Sequence, residues 1–145
     1  MNLYTIGFTQ KTAERFFTLL RDAGVRRLVD TRLNNRSQLA GFSKYEDLRY
    51  FLRVIGGIEY VHRLDMAPTQ ELLDGYKKGK GAWELYETAF RALLDQRRLI
   101  EAIDPSELAN SCLLCSEHLA AHCHRRIVAE YIQRHVSNVT VTHLK

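Results

Sequence analysis

Apolar residues follow two rhythms along the chain: short, nearly continuous runs, and longer stretches in which they return every third or fourth position. The runs predict strands and the stretches predict amphipathic helices, since strand side chains alternate faces while helix residues three or four apart share one. Asn2–Ile6 reads as a first strand closed by Gly7. Ala13, Phe16, Phe17, Leu19, Leu20 and Ala23 mark a helix that Gly24 stops. Val25–Val29 is a second strand, running into Asp30, Thr31 and Arg32 and then a polar loop through Asn34, Asn35 and Arg36. Ser43 with Glu46 fits a capping box ahead of a helix that carries Tyr45, Leu48, Phe51, Leu52 and Ile55 and ends at Gly56-Gly57. Ile58–Val61 predicts a third strand.

Leu64–Pro68 reads as a loop, Gln70–Lys78 as a short helix, and Trp83–Ile103 as a long amphipathic helix ended by Asp104-Pro105. Ser111–Cys115 predicts a fourth strand, His124–His135 a last helix and Val139–Thr142 a closing strand. Strands alternating with helices predict one α/β domain, Rossmann-like, with a mainly parallel five-stranded sheet covered on both faces. The expected strand order is 3-2-1-4-5, which makes the first and fourth strands neighbours at a topological switch point. Gly7, Asp30, Arg32, Cys115 and Glu117 all fall at strand C-termini, so this topology brings them to one crevice.

The chain has 145 residues, 46% of them apolar, a net charge of +4 and a sequence pI of about 9.1. A mildly basic balance suits phosphate-bearing partners, while Lys77, Lys78 and Lys80 read as a solvated helix end rather than a nucleic-acid footprint. The opening residues lack a signal-peptide pattern, no apolar run matches a bilayer, and an odd three cysteines fit free thiols, so a cytoplasmic location is expected, with no membrane partner.

The densest chemistry lies between Cys112 and Arg126. Cys112 and Cys115 form a C-x-x-C that invites a zinc knuckle, but on a strand they face opposite sides, which makes Cys112 a core residue. Cys115 reaches either the crevice or the core. Cys123 opens the last helix, where free N–H groups, the helix dipole and Arg125 and Arg126 favour a low-pKa thiol; a structural place beside the cap is the plain alternative. His124 is either a core histidine or a base beside that thiol, and Glu117 either an acid/base or a cap. His118 and His122 are expected on an exposed loop. Asp30 and Arg32 form a structural ion pair, or Arg32 holds an anion. Cys115, Glu117, Cys123 and His124 also suit zinc or iron, although their spacing matches no standard finger. Dinucleotide, P-loop, zincin and nucleophile-elbow motifs are absent.

Tyr4-Thr-Ile-Gly7, Val29-Asp-Thr-Arg32, Glu59-Tyr-Val-His62 and above all Leu114-Cys-Ser-Glu117 with Cys123-His-Arg125 resemble the domain-of-unknown-function 488 family. The resemblance implies a small α/β, Rossmann-like fold without an established general activity, and a shared site at Asp30, Arg32, Cys115, Glu117, Cys123, His124 and Arg125. The loops Leu33–Arg36 and Arg63–Thr69 depart from the pattern, which implies a different substrate choice. A remoter similarity is to rhodanese-like domains, but Cys115 stands ten positions before Arg125, too far to rebuild their anion loop.

The leading expectation is an enzyme, a cysteine-dependent transferase or hydrolase, acting on an anionic small molecule such as a nucleotide or other phosphate-bearing compound. Cys123, or else Cys115, serves as nucleophile, Glu117 and His124 move protons, and Asp30, Arg32 and Arg125 line the substrate. A metal-binding protein using zinc or iron on the same side chains, and a non-catalytic nucleic-acid-binding module, are the alternatives. Neither cofactor nor oligomeric state is legible.

Overall fold

The computed structural model describes residues 1–36, 41–78, 82–117 and 119–145, with backbone alone at 77 and 78; the predicted lysine cluster and His118 lie outside the described side chains. In chain order the elements are β1 (Asn2–Gly7), α1 (Ala13–Asp22), β2 (Arg27–Asp30), α2 (Tyr45–Gly56), β3 (Glu59–His62), α3 (Gln70–Lys78), α4 (Trp83–Gln96), α5 (Pro105–Leu108), β4 (Ser111–Cys115), α6 (His124–His135) and β5 (Thr140–His143). Every strand pair is parallel, so the α/β class with a parallel five-stranded sheet holds. None of the described helices is long and apolar enough to cross a membrane.

The strand order is β3-β2-β4-β1-β5, which corrects the expected 3-2-1-4-5. β4 slips between β1 and β2 because it is the one strand whose residues are all buried, from Ser111 to Cys115, whereas β1 begins exposed. A parallel strand covered on both faces reads as a continuous apolar run, and the centre of the sheet is where that run is best spent. Cys115 consequently stands between Gly7 at the end of β1 and the segment after β2.

Two apolar layers sandwich the sheet. On one face Phe16, Phe17 and Leu20 of α1 and Leu48 and Leu52 of α2 pack over Ile6, Leu28, Cys112 and Leu114. On the other, Phe90 and Leu94 of α4 and Ile127, Val128 and Ile132 of α6 pack over Leu3, Val29 and Leu113. Each fully buried side chain of this size contributes roughly 1.5–3 kcal/mol of transfer free energy.

Helix ends differ from expectation in three places. Thr12 caps α1 by accepting from the Arg15 N–H, but Ser43 does not cap α2. Lys44 is the N-cap there and its side chain makes no cap bond. Ser43 is buried instead, and its carbonyl accepts from Arg32 Nη2 at 2.7 Å. The expected Trp83–Ile103 helix stops at Gln96; Arg98 takes φ of 55° and a 3-10 turn over Leu99–Ala102 follows. That break swings Leu99 fully into the core, and Arg97 Nη1 caps the carbonyls of Asp65 and Ala67 at 3.0 and 2.6 Å. Asp104-Pro105, expected as a terminator, opens α5, with Asp104 accepting from the Ser106 N–H at 3.0 Å.

Candidate functional site: a buried thiol–imidazole pair

The chain leaving β4 is tied down on both sides. Thr31 donates its N–H and its hydroxyl to the Leu114 carbonyl at 3.0 and 2.7 Å, and Thr9 does likewise to the Ser116 carbonyl, the N–H at 3.1 Å. The Glu117 carbonyl then lies against Gly7 so closely that a Cβ there would coincide with it. Glycine is needed at that position for room rather than for dihedral freedom. Arg125, only 1% exposed, holds the same carbonyl, with Nη1 donating at 2.6 Å and Nε reaching Thr5 Oγ1 at 3.4 Å.

These ties place Cys115 under the first turn of α6. His124 Nδ1 is 3.5 Å from Cys115 Sγ, and its Nε2 is 2.8 Å from the Thr31 carbonyl. A carbonyl only accepts, so Nε2 carries the hydrogen and Nδ1 is the atom that faces the sulfur. Cys123 is the N-cap of α6, and the ligand atoms of Cys115, Cys123 and His124 all lie within 4.8 Å of one another. All three residues are buried.

The electrostatics sort the two thiols. Cys115 is held well below the ordinary thiol range by a hydrogen bond from Cys123, against the penalty of burial, with help from the His124 charge, its hydrogen bond and the Glu117 N–H. Cys123 is pushed well up, first by burial and then by the neighbouring Cys115. This runs against the expectation that the helix N-terminus makes Cys123 the low-pKa thiol: the Arg125 charge and backbone N–H do favour its thiolate, but burial and the neighbouring Cys115 outweigh them. His124 is penalised by burial, yet the Cys115 charge and hydrogen bond raise it above the usual imidazole value. Cys112, on the opposite face among Leu28, Leu52 and Leu114, is pushed far up by burial.

A cavity of about 350 Å³ opens over the pair, with Cys115, Cys123, His124, Arg32, Trp83 and Tyr86 in its wall. Glu117 also borders it, but as an exposed side chain at the rim. Asp30 and Arg125 are absent from the lining. Asp30, fully buried, instead grips Arg32 in a fork, with Nε to Oδ1 at 2.9 Å and Nη2 to Oδ2 at 2.8 Å, and takes a third bond from Tyr60 Oη at 2.5 Å. Burial disfavours the Arg32 charge, but Asp30 more than offsets it and raises the guanidinium. Arg32 Nη1 is left buried with no partner among the described residues. A hollow of about 520 Å³ at the other end of the sheet, around Met1 and residues 133–140, holds no thiol.

Sequence reasoning did not single out Thr31, Tyr60, Trp83 or Tyr86. Trp83 and Tyr86 read as an ordinary helical stripe, and only the tertiary fold turns their rings toward the thiols.

Fold and site together define an α/β protein with a buried thiol–imidazole pair at the C-terminal edge of a parallel sheet. The family described as Domain of unknown function DUF488 matches residues 12–132, and the chain belongs to that family. No curated protein and no solved structure matches the chain.

Proposed function

We propose that the chain is a thiol-dependent enzyme, a transferase or hydrolase, that acts on an anionic small molecule through Cys115. The observation that carries this reading is the 3.5 Å approach of His124 Nδ1 to Cys115 Sγ while Nε2 is fixed 2.8 Å from the Thr31 carbonyl. Nucleophile, base and orienting group in series are what an activated thiol requires. Cys115 Sγ forms a bond to the electrophilic centre of the substrate. The bond to the leaving group breaks, and that group departs with its electrons and the His124 Nδ1 proton. Water, or a second substrate, then attacks the sulfur-bound centre, returns the thiolate and gives its proton to His124. Arg32 Nη1 receives the anionic group, Asp30 positions Arg32, Glu117 exchanges protons with solvent at the rim, and Arg125 positions the loop.

Iodoacetamide alkylation followed by peptide mapping tests this. Cys115 is expected to react first, with a rate midpoint well below the free-thiol value of about 8.5, and His124→Gln to shift that midpoint up. Cys123 reacting first, or a midpoint at the free-thiol value, would overturn the reading. The signs are definite. His124, raised in the fold, adds stability in full below its unfolded value of about 6.5 and loses it as pH climbs through its folded value. Cys115, lowered in the fold, adds stability in full above about 8.5 and loses it as pH drops through its folded value. The ion pair exists above the second folded value and below the first.

One observation favours a second reading. Two sulfurs and an imidazole nitrogen within 4.8 Å make a three-ligand set for zinc, with the cavity side left for a fourth. His124 would ligate through Nδ1, its ring already oriented by the Thr31 carbonyl. Elemental analysis of protein purified without an affinity tag separates the two: one equivalent of zinc or iron replaces the thiolate reading, and none removes the metal.

A further inference from the structure

Three buried side-chain nitrogens lack a partner among the described residues: Arg32 Nη1, Trp83 Nε1 and Arg91 Nη1. Two of the three belong to side chains in the wall of the thiol cavity. Both are donors. A buried donor left unpaired costs about 1–3 kcal/mol, more when charged, so a wall whose side chains hold two of them just beneath its surface favours an occupant that accepts. Arg32 cannot turn away to find water: Asp30 and the Ser43 carbonyl hold its other nitrogens at 2.7–2.9 Å, and its guanidinium lies 5.3 Å from the Phe8 ring centroid.

One side of the wall is aromatic, made by Tyr76, Trp83, Tyr86 and His122, and Phe90 continues their stack behind it. Phe90, Tyr86, Trp83 and His122 form a column of near-parallel rings, with interplanar angles of 7°, 27° and 23° and centroids 5.1–6.1 Å apart. Tyr76 meets both Trp83 and Tyr86, at 5.5 and 5.2 Å. The volume of about 350 Å³ is at the small end of ligand pockets, which run from roughly 300 to 1,000 Å³. That space admits a one- or two-ring molecule and not a folded polymer.

We infer that this cavity selects a flat aromatic or heteroaromatic ring that carries one anionic group, carboxylate or phosphate. The ring packs along the Tyr76–Trp83–Tyr86 wall, and the anion accepts from Arg32 Nη1 and Trp83 Nε1. This deepens the thiol-enzyme reading and rests on it for the reaction, though not for the binding. Charge-assisted bonds to a planar guanidinium favour carboxylate and phosphate over neutral acceptors, and edge-to-face contact with the wall rings supplies the part a bare anion lacks.

Trp83 is the chain's sole tryptophan, so its emission reports the cavity directly. Nicotinate and adenosine 5′-monophosphate, the two anion types on flat rings, are titrated against nicotinamide and adenosine (ring without charge), cyclohexanecarboxylate (charge without flat ring) and inorganic phosphate. At least one ring-bearing anion is expected to saturate the emission change, and to bind about tenfold or more tighter than its neutral and non-aromatic counterparts. Arg32→Gln should erase the preference for charge. Should that variant not fold, Trp83→Phe, followed by calorimetry, should weaken the ring-bearing anion while sparing its neutral counterpart. No binding by either ring-bearing anion, or equal binding of inorganic phosphate or cyclohexanecarboxylate, would overturn the inference. Cys115→Ala protein should still prefer the ring-bearing anions over their neutral and non-aromatic counterparts. Ring–anion binding without fast Cys115 alkylation would therefore sink the reaction but keep the ligand, and the converse would sink the ligand alone.

Discussion

Cys112 and Cys115 sit three positions apart on β4 and live in different chemistries. Cys112 enters the layer beneath α1 and α2, where its neighbours are aliphatic and aromatic carbons. Cys115 reaches the rim of the sheet, where Cys123, His124 and the Glu117 N–H all address its sulfur. The first environment raises a thiol pKa by withholding solvent; the second lowers one by replacing solvent with oriented donors. Burial is nearly the same at both, 0% and 4% exposed, so what separates an inert thiol from an activated one here is the set of partners.

The contrast can be broken at four points. The largest effect is expected from Asp30→Ala at the rim. It strands the Arg32 charge in a buried site, which costs about 3–5 kcal/mol, read as a lowered denaturant midpoint. A loss below about 1 kcal/mol would show that the pair behaves like a surface salt bridge and that the rim is not a buried charged region. Leu20→Ala in the α1 layer follows, at about 2–5 kcal/mol. It should leave the pH midpoint of Cys115 alkylation where it was, because the layer it damages lies across the sheet from the thiol; a moved midpoint would tie the two regions together. Smaller is Cys112→Ser, about 1–3 kcal/mol for a hydroxyl set among apolar side chains, and smallest of all the matching change at Cys115. Cys115→Ser should cost less than Cys112→Ser, since His124 Nδ1 can accept from the new hydroxyl. Equal losses in thermal melts would mean that the two positions are not chemically distinct.

Three further comparisons concern legibility. The ends of β1, β2 and β4 were visible as strand C-termini, and from them came the convergence of Arg32, Cys115 and the start of α6 on one place. Strand order was not visible, because local periodicity carries no record of which strands pair; only in the fold is the run Ser111–Cys115 buried throughout, at the centre of the sheet. The assignment of roles within the cluster was also hidden. Cys123 has the better local setting, at a helix N-terminus with two arginines after it, yet its sulfur shares a buried proton with Cys115 and ends on the high side.

Sequence by itself determined the α/β alternation, the family, and the stretch in which the reactive side chains gather, since periodicity and residue type are local properties of the chain. Tertiary structure alone decided that β4 lies between β1 and β2, that Asp30 and Ser43 immobilise Arg32, and that rings from α3 and α4 face the thiols. Those outcomes depend on which segments meet in space, whatever their separation along the chain, and that is set by the packing of two helical layers on one sheet and by where each buried donor finds an acceptor.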